Sequence, residues 1–470
     1  MKIEQIYTGC LAQGAYYVES DGEAAIVDPL RESQPYIEKA KKEGATIKYI
    51  FETHFHADFV SGHVDLALKT GATIVYGPGA KTAYDIYEAK DEEIFELGEI
   101  KIKVLHTPGH TLESAVFLLI DENDKQHAIF SGDTLFIGDV GRPDLAQKGK
   151  LTQEELAGYL YDSLRNKIMT LADEVMVYPA HGAGSACGKN MSEDTTDLLG
   201  NQKKTNYALR ADMTKEEFIK EVTAGLLPPP QYFARNVAIN KSGAKGLDEI
   251  LKRGNVALDV EVFEAVINYE GALILDTRKP RDFASCHIPN AIYIGIDGSF
   301  APWVGALIPD LQQSIVFIAE RGREEEVVTR LSRVGYDNTL GFLDGGLEVW
   351  KKAGKEIDKV TSISAEALTK KYGSGHLNIL DVRKPFEYEA EHIENAQNFP
   401  LDFINENMQD VTKGKQYHVH CAGGYRSMIA TSILKSRGYH NLVDIEGGFE
   451  AIKNTAIPRI AYSATQTLYS

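Results

Sequence analysis

The chain has 470 residues, too many for one hydrophobic core, and a usual domain size of roughly 150 residues predicts about three domains. Its hydrophobic content of 43% and charged content of 25% are ordinary for globular proteins. No stretch approaches the roughly 18 apolar residues that span a bilayer, so we expect a soluble protein without a membrane partner. The net charge of −18 disfavours nucleic acid and leaves small molecules as the expected partners.

The amino terminus and the cysteines indicate the compartment. Residues 1–9 carry charge and are followed by no apolar h-region, which predicts a cytoplasmic protein. The four cysteines lie far apart and form no CxxC pair, so reduced thiols are favoured over a disulfide framework or a zinc knuckle. They are Cys10, Cys187, Cys286 and Cys421.

The first part of the chain predicts a layered α/β domain. Short β-rich runs such as residues 24–27 and 48–51 alternate with turn signals and helix-like segments, so helices are expected to cover the sheets. The segment LLPPPQY, residues 226–232, cannot continue a helix or a central strand because successive prolines lack backbone donors. A boundary is expected near or just after it, and we assign residues 1–250 to the first domain.

Metal-binding side chains follow several predicted strands of this domain. They are His54, His56, Asp58, His110, Asp133 and His181. Imidazole nitrogens and carboxylate oxygens at several strand ends are what a divalent transition metal requires. A single histidine is more often a hydrogen-bonded core or surface residue, but four spaced clusters favour a metal site.

The carboxyl-terminal half is a tandem repeat. LDTRKPRDFASCHIPNA, residues 275–291, recurs as LDVRKPFEYEAEHIENA, residues 380–396, and LDGGLEVWK is matched later by IEGGFEAIK. Each copy runs strand, charged turn, hydrophobic strand, loop, helix and glycine turn, which predicts a compact parallel α/β domain. We assign residues 251–360 to the second domain and residues 361–470 to the third.

The middle copy has no cysteine in its strand and loop at residues 314–326, so it cannot form a covalent sulfur intermediate there. Cys286 falls in a different segment, and we interpret it as incidental. The expected contribution of this copy is spacing, packing or assembly. Arg321 and Arg323 are interpreted as part of a solvated charged face rather than as an anion site.

The last copy carries Cys421 between a predicted strand and a predicted helix. The loop that follows consists of Ala422, Gly423, Gly424 and Tyr425, and Arg426 comes directly after it. Its glycines allow the loop to curl so that backbone N–H groups point inward, and these groups, the helix dipole and Arg426 favour a thiolate or persulfide anion. Cys421 is therefore the predicted nucleophile, with Arg426 as its catalytic partner.

The first domain resembles the metallo-β-lactamase superfamily, because HFHAD, the later GH, the GD and the final AH occur in that family's order. The resemblance implies an αββα fold. In the dinuclear zinc hydrolases of the family the first motif is HxHxDH, whose last histidine helps to hold the second metal, and here that position is Phe59. A phenyl ring has no lone pair to donate, so the second site is left with Asp58, His181 and a shared Asp133. This favours one metal, and two histidines with one carboxylate favour iron.

More specifically, nearly the whole chain resembles bacterial persulfide dioxygenases of this superfamily that are fused to rhodanese domains. The resemblance implies iron ligands at His54, His110 and Asp133, with His56, Asp58 and His181 beside the site. It also implies substrate-side loops in GRPD and HGAGSACG, which contain Arg142, Asp144 and Cys187. The alternatives are a structural ion pair for Arg142 and a small buried residue for Cys187.

The loop around Cys421 resembles the rhodanese active site, together with the DVR and EGG segments of the last copy. It has the form CxxxxR, whereas related phosphatases have one residue more, which argues against phosphatase chemistry. The fold class predicted for the chain is thus α/β, with an αββα metallo-β-lactamase fold followed by two rhodanese-like α/β domains with parallel sheets.

The predicted function is oxidation of a low-molecular-weight thiol persulfide to sulfite by O2 with one Fe(II) per chain, followed by sulfur transfer through Cys421 that gives thiosulfate. Glutathione, coenzyme A, bacillithiol and inorganic polysulfide all fit as the sulfur carrier, and the tandem repeat offers surface for a homo-oligomer. One alternative is a thioester hydrolase of the glyoxalase II type, which requires two metals. Another is a non-catalytic sulfur carrier or scaffold whose metal is structural.

Overall fold

The computed structural model describes residues 1–145, 151–375 and 377–461. The chain forms two compact units. The first consists of Met1–Ile250 with Leu331–Gly335, and the second of Leu251–Arg330 with Tyr336–Ser470. The division into three domains at residues 250 and 360 stays a prediction, and segment 462–470 of the predicted third domain lies outside the described residues.

The first unit contains two six-stranded sheets. One has the order β1-β2-β3-β4-β5-β6, formed by β1 (Lys2–Thr8), β2 (Gln13–Ser20), β3 (Glu23–Val27), β4 (Thr46–Glu52), β5 (Thr73–Tyr76) and β6 (Tyr87–Glu88). The other has the order β12-β11-β10-β9-β8-β7, formed by β7 (Ile94–Leu97), β8 (Ile100–His106), β9 (Ala115–Ile120), β10 (Gln126–Gly132), β11 (Met176–Pro179) and β12 (Asp197–Leu198). Both sheets are mixed, with parallel pairs at β3-β4-β5-β6 and at β10-β11.

Helices cover the outer face of each sheet. They are α1 (Gln34–Glu43), α2 (His63–Thr70), α3 (Gln153–Ser163), α4 (Leu199–Thr205), α5 (Lys215–Thr223) and α6 (Phe233–Ser242). The next helix, α7 (Leu247–Gly254), includes the last residues of the first unit and the first residues of the second. The amino ends of α3 and α5 are fixed by capping boxes that begin at Thr152 and Thr214. In each box the threonine hydroxyl accepts from the backbone N–H of the glutamate three residues later, and the carboxylate of that glutamate accepts from the backbone N–H of the threonine.

The layers follow from side chains that alternate along buried strands. In β9, Phe117 and Leu119 face the core between the two sheets, whereas Val116 and Leu118 face the core beneath α3 and α5. The opposite outer core packs α1 and α2 against the first sheet. Apolar residues are therefore buried on both faces of each sheet, and the predicted αββα arrangement is confirmed.

The second unit contains two five-stranded sheets in which all pairs are parallel. The first has the order β13-β17-β16-β14-β15, formed by β13 (Ala257–Leu258), β14 (Leu273–Asp276), β15 (Ile292–Tyr293), β16 (Ile315–Ile318) and β17 (Thr339–Leu343). The second has the order β18-β23-β22-β19-β21, formed by β18 (Thr361–Ile363), β19 (Asn378–Asp381), β21 (Gln397–Asn398), β22 (Tyr417–His420) and β23 (Leu442–Ile445). A small antiparallel pair joins β20 (Glu391–Ile393) to β24 (Arg459–Ala461).

The helices of this unit are α8 (Val260–Glu270), α9 (Pro280–Ser285), α10 (Phe300–Leu307), α11 (Glu324–Ser332), α12 (Gly346–Lys352), α13 (Ala365–Tyr372), α14 (Pro385–Ala390), α15 (Tyr425–Ser436) and α16 (Gly448–Ile452). Short 3-10 or π turns lie at Leu164–Ile168 and Tyr207–Leu209 in the first unit and at Leu401–Phe403 and Met408–Asp410 in the second. Among the described residues, every helix falls short of the length and apolar character needed to cross a membrane.

The two sheets of the second unit repeat each other down to single side chains. In the first copy Arg278 forms an ion pair with Asp276 and donates to the carbonyl of Cys286. In the second copy Arg383 does the same with Asp381 and the carbonyl of Glu391. The matching contacts confirm that the carboxyl-terminal half is a tandem repeat of one parallel α/β design.

Candidate metal centre and persulfide loop

Two of the predicted metal-binding residues meet where the two sheets of the first unit come together. His54 follows β4 of one sheet, and Asp133 follows β10 of the other. Gly132 allows this approach, because its φ of 53° is left-handed and a Cβ there would lie 2.5 Å from the hydroxyl oxygen of Thr53. The ends of β4 and β10 therefore touch, and the residues that follow them are brought side by side.

His54, His110 and Asp133 form a compact buried set. Nε2 of His110 lies 3.3 Å from Oδ2 of Asp133, and Nε2 of His54 lies 3.8 Å from the same oxygen. One ligand atom from each of the three residues falls within 4.8 Å of the others. Two imidazoles and one carboxylate on one side of a centre form the donor set that non-haem iron enzymes use.

Hydrogen bonds fix the orientation of the His54 ring. The Thr53 hydroxyl donates to Oδ2 of Asp28 over 2.8 Å, and its oxygen lies 3.0 Å from Nδ1 of His54. Because the hydroxyl proton is engaged with Asp28, the oxygen accepts from Nδ1 of His54. The proton of the ring is thus held at Nδ1, and the lone pair of Nε2 is directed to Asp133.

Backbone carbonyls orient the other two imidazoles in the same way. Nδ1 of His110 donates to the carbonyl of Arg142 over 2.8 Å. Nδ1 of His181 donates to the carbonyl of Ala12 over 3.3 Å. Since a carbonyl can only accept, both rings carry their proton on Nδ1, and Nε2 remains free as a ligand atom.

The electrostatics of this set suit a bound cation. Burial lowers the pKa of His54 well below its ordinary value, and the neighbouring imidazoles lower it further, so the ring is neutral and able to ligate. Within the part of the chain that the structure describes, both carboxylate oxygens of Asp133 and Nε2 of His181 are buried and have no hydrogen-bond partner. Buried acceptors without donors are costly unless a cation lies among them, so the residues fit the metal that the fold family implies.

A second group of potential ligands lies beside the first. It includes His56, Asp58 and His181, whose ligand atoms also fall within 4.8 Å of one another. Nε2 of His56 lies 3.1 Å from a carboxylate oxygen of Asp28 and 3.4 Å from one of Glu52. Burial opposes protonation of His56, but these carboxylates outweigh it and raise its pKa well above the ordinary value. A protonated imidazole that faces two carboxylates is a poor metal ligand.

Phe59 is fully buried, and its ring packs against the ring of His56 with 4.4 Å between the centroids. It contributes packing but no ligand atom to the second group. The structure thus places an apolar ring next to His56, at the motif position where a dinuclear site requires a nitrogen donor.

Cys187 lies close to both groups. Its sulfur, Asp133 and His181 offer ligand atoms within 4.8 Å of one another. Burial raises the pKa of Cys187 well above its ordinary value, and the carboxylates of Asp133 and Asp58 raise it further. The side chain is therefore a buried thiol rather than a thiolate, and its part in chemistry stays a prediction.

Arg142 is buried, and its guanidinium is already engaged. It forms two hydrogen bonds with Asp144, at 2.7 Å and 2.6 Å, and donates to the carbonyl of Leu227 over 2.5 Å. These contacts favour the structural ion pair over direct contact with substrate. The backbone of Arg142 nevertheless acts on the site, because its carbonyl orients His110.

A cavity of about 140 Å³ opens beside His110. Phe55, Leu112 and Val237 give it apolar walls, and Lys241 on α6 contributes a cation that lies 4.5 Å from the centre of the Phe55 ring. A small thiol with an anionic group has the chemistry to enter such a space. Sequence reasoning missed Lys241, because α6 follows the proline segment and carries no motif.

In the second unit, Cys421 is buried between β22 and α15. Gly424 takes a φ of 101°, and its N–H donates to the sulfur of Cys421 over 3.1 Å. The residue after the EGG segment also fixes the loop, because the N–H of Phe449 donates to the carbonyl of Cys421 over 2.7 Å. A backbone donor is thus aimed at the sulfur, which favours the anionic form.

The guanidinium of Arg426 is paired with a carboxylate, that of Glu387. The ion pair is bidentate, with distances of 2.6 Å and 2.8 Å. Burial opposes ionisation of Glu387, but Arg426 outweighs it and lowers the pKa of that carboxyl. Arg426 and Lys384 line a cavity of about 280 Å³ above Cys421, so Lys384 adds a second cation that sequence reasoning missed.

Ser427 ties the start of α15 to the neighbouring strand. Its hydroxyl donates to Asp444 over 2.7 Å, and burial raises the pKa of Asp444 to about 7.

In the middle copy, Arg323 is paired with Asp297 and Glu326, which supports the interpretation of a charged face rather than an anion site.

Comparison with known proteins identifies the domains in which the two candidate sites lie. The metallo-beta-lactamase superfamily model matches residues 8–181, and the rhodanese-like domain model matches residues 259–353 and 364–455. A crystal structure of a metallo-beta-lactamase from Staphylococcus aureus subsp. aureus COL has a TM-score of 0.63 and 31% identity, and the match covers 73% of this chain and 98% of that one.

Two named relatives match the first part of the chain. A probable hydroxyacylglutathione hydrolase of Schizosaccharomyces pombe is 34% identical over 160 residues, which are 33% of this chain and 58% of the relative. The human mitochondrial persulfide dioxygenase ETHE1 is 30% identical over 211 residues, which are 44% of this chain and 74% of that protein. This chain thus spans less than two thirds of the hydrolase. It belongs to the metallo-beta-lactamase superfamily, and it joins a metallo-beta-lactamase domain to two rhodanese-like domains.

Proposed function

We propose that this chain is an iron-dependent persulfide dioxygenase joined to a sulfurtransferase that forms thiosulfate. In this proposal residues 1–250 oxidise the persulfide, residues 251–360 form an inactive rhodanese-like domain, and residues 361–470 transfer sulfur. The observation that carries it is the buried set of His54, His110 and Asp133, with its unsatisfied carboxylate and with Phe59 beside it. The relationship to ETHE1 supports the same activity.

The reaction proposed for the first unit consumes one persulfide, one dioxygen and one water, and yields one thiol, one sulfite and two protons. A bound Fe(II) would supply the open coordination positions at which sulfur and dioxygen meet. The chain's own residues orient His54 and His110 through Thr53 and the carbonyl of Arg142, and burial keeps His54 neutral. The apolar walls beside His110 exclude water from the reacting sulfur.

The reaction proposed for the last domain starts from a persulfide on Cys421. The lone pair of sulfite attacks the outer sulfur, a new sulfur–sulfur bond forms, and the bond to Cys421 breaks, so that its electron pair returns to Cys421 as a thiolate. The N–H of Gly424 stabilises that thiolate, and Lys384 and Arg426 attract the anionic acceptor. Thiosulfate leaves, and no further oxidant is needed.

Metal analysis combined with oxygen uptake tests the proposal. We expect about one iron per chain, and oxygen consumption that depends on added persulfide. Replacement of His54, His110 or Asp133 by alanine should abolish oxygen uptake, whereas His127→Ala, at an exposed histidine of β10, should leave it unchanged. Two tightly bound zinc ions, or undiminished uptake in the three variants, would show that the assignment is wrong.

One observation favours a second candidate, a thioester hydrolase of the glyoxalase II type. The group of His56, Asp58 and His181 lies beside the first set and offers further ligand atoms, and hydroxyacylglutathione hydrolases are among the relatives. Hydrolysis of S-lactoylglutathione with two metals per chain, and no persulfide-dependent oxygen uptake, would support this candidate instead.

A further inference from the structure

The middle repeat, which has no cysteine in its loop, contacts the loop that carries Cys421. The hydroxyl of Tyr425, the first residue of α15, donates to the carbonyl of Gly295 over 2.6 Å. Seven residues further along the same helix face, the hydroxyl of Ser432 accepts from the N–H of Tyr293 over 2.9 Å. One face of α15 is therefore anchored to the middle repeat at two points, one at the end of β15 and one just after it.

The ring of Tyr425 packs against Gly298. A Cβ at this position would lie 2.3 Å from the carbon that bears the Tyr425 hydroxyl, and other ring carbons are 2.6 Å and 2.7 Å away. Gly298 is not among the residues with positive φ, so an alanine is compatible with its backbone, and the three atoms nearest to its Cβ all belong to the Tyr425 ring. The tyrosine thus packs directly against a bare stretch of backbone.

The contact between Tyr425 and Gly298 is linked to the sulfur of Cys421 through one peptide unit. Gly424 immediately precedes Tyr425, and its N–H is the group that donates to the sulfur of Cys421 over 3.1 Å. Displacement of the Tyr425 ring therefore moves the donor that faces the sulfur. The middle repeat also contributes Ser299 and Trp303 to the cavity above Cys421, opposite Lys384 and Arg426.

We propose that the middle repeat is a positioning element of the sulfur-transfer site. Gly295 and Gly298 hold Tyr425, and Tyr425 keeps the N–H of Gly424 on the sulfur that departs as a thiolate when sulfite takes the outer sulfur. This inference rests on the proposed transfer function of Cys421. The middle repeat thus has a role in sulfur transfer although its own loop has no cysteine, because the site of the last repeat is incomplete without the middle repeat.

A matched pair of glycine substitutions in the full-length chain tests the inference. Gly298→Ala places a methyl group against Tyr425, whereas Gly375→Ala places the same group in open space on backbone without a positive φ. Transfer is measured under nitrogen, with glutathione persulfide as donor, sulfite as acceptor and thiosulfate as the quantified product. We expect Gly298→Ala to slow transfer roughly tenfold or more, and Gly375→Ala to stay within about twofold.

A second measurement separates positioning from loss of fold. The rate of alkylation of Cys421 by iodoacetamide is followed against pH, and the modified peptide is quantified by mass spectrometry. In Gly298→Ala the midpoint of this curve should move to higher pH, because the thiolate loses its backbone donor. Tyr425→Phe, which removes only the bond to Gly295, should move it in the same direction by less.

A double substitution completes the test. In a Tyr425→Ala background the methyl group of Gly298→Ala meets no ring, so it should cause no further loss of transfer. An equal loss in both backgrounds, or a Gly298→Ala variant that behaves like Gly375→Ala, would overturn the inference. If the unsubstituted chain transfers no sulfur, the proposed function fails, but the alkylation curves still report whether Gly298 positions the loop.

Discussion

The hydroxyl of Thr53 lies 3.0 Å from Nδ1 of His54 and holds that ring with its Nε2 toward Asp133. We predict that Thr53→Val, which keeps the shape of the side chain but removes the bond, weakens iron binding about 10-fold to 100-fold. The affinity is measured by titration of the metal-free protein. Thr46→Val, at an exposed position at the start of β4, should bind iron normally. Equal affinities in the two variants would contradict a role for Thr53 in orienting the ligand.

We predict that Phe59 limits the first unit to one metal. Phe59→His places an imidazole beside His56 and Asp58, and we expect the metal content of zinc-loaded protein to rise from about one toward two per chain. The content is determined by elemental analysis after gel filtration. Phe55→His makes the same change at a nearby residue that lines the cavity beside His110, and it should leave the content at one. A content of one in Phe59→His as well would show that a further feature blocks the second site.

Cys421→Ser should separate the two activities. The serine hydroxyl has almost the shape of the thiol but cannot carry sulfur, so oxygen uptake and iron content should be unchanged while the product shifts from thiosulfate to sulfite. Ion chromatography of the products measures the shift. Arg426→Ala should shift the product in the same direction but less, because the nucleophile remains. Continued formation of mostly thiosulfate by Cys421→Ser would direct attention to Cys187.

Asp444 makes the stability of the last domain depend on pH. Burial raises its pKa to about 7, so the folded state keeps a proton that the unfolded state loses near pH 4. Stability should therefore be fully present below pH 4 and fall as the pH rises toward 7, by up to about 4 kcal/mol for this residue at roughly 1.4 kcal/mol per pKa unit. Asp444→Asn keeps an acceptor for Ser427 and should remove that part of the pH dependence.

Urea unfolding at several pH values, followed by a probe in the last domain, measures this effect. Asp410→Asn changes an exposed carboxylate of the same domain and should leave the pH dependence as it is in the unsubstituted chain. If Asp444→Asn and the unsubstituted chain lose stability in parallel between pH 4 and pH 8, the carboxyl is not the group responsible.

The sequence predicted the layers of the fold and the residues that cluster in the first unit. This was possible because the ligand-type residues lie in loops that follow strands, as His54 lies two residues after β4 and Asp133 directly after β10, and strand ends are readable from local pattern. The tandem repeat was equally readable, since its motifs recur in order. The αββα fold and the two parallel rhodanese-like domains are confirmed, whereas the roles of the individual residues stay predictions.

The sequence could not predict how charges and rings pair across the fold. Arg426 was expected to act on Cys421, but its guanidinium is shared with Glu387, which lies in a different helix. The contact of Tyr425 with Gly298 joins segments far apart in the chain, and a glycine in a loop gives no sign of what packs on it. Such pairings depend on the final approach of separate elements, which local pattern does not encode.

The touching ends of β4 and β10 have a consequence for folding as well as for ligand binding. A metal ion shared by His54 and Asp133 would cross-link the two sheets of the first unit. It would also close a long loop of chain between these two residues. Removal of the ion should then loosen the sandwich itself and lower the melting temperature of the first unit, while the rhodanese-like half melts as before. Iron supply would in that way govern how much folded enzyme a cell keeps as well as how much of it is active.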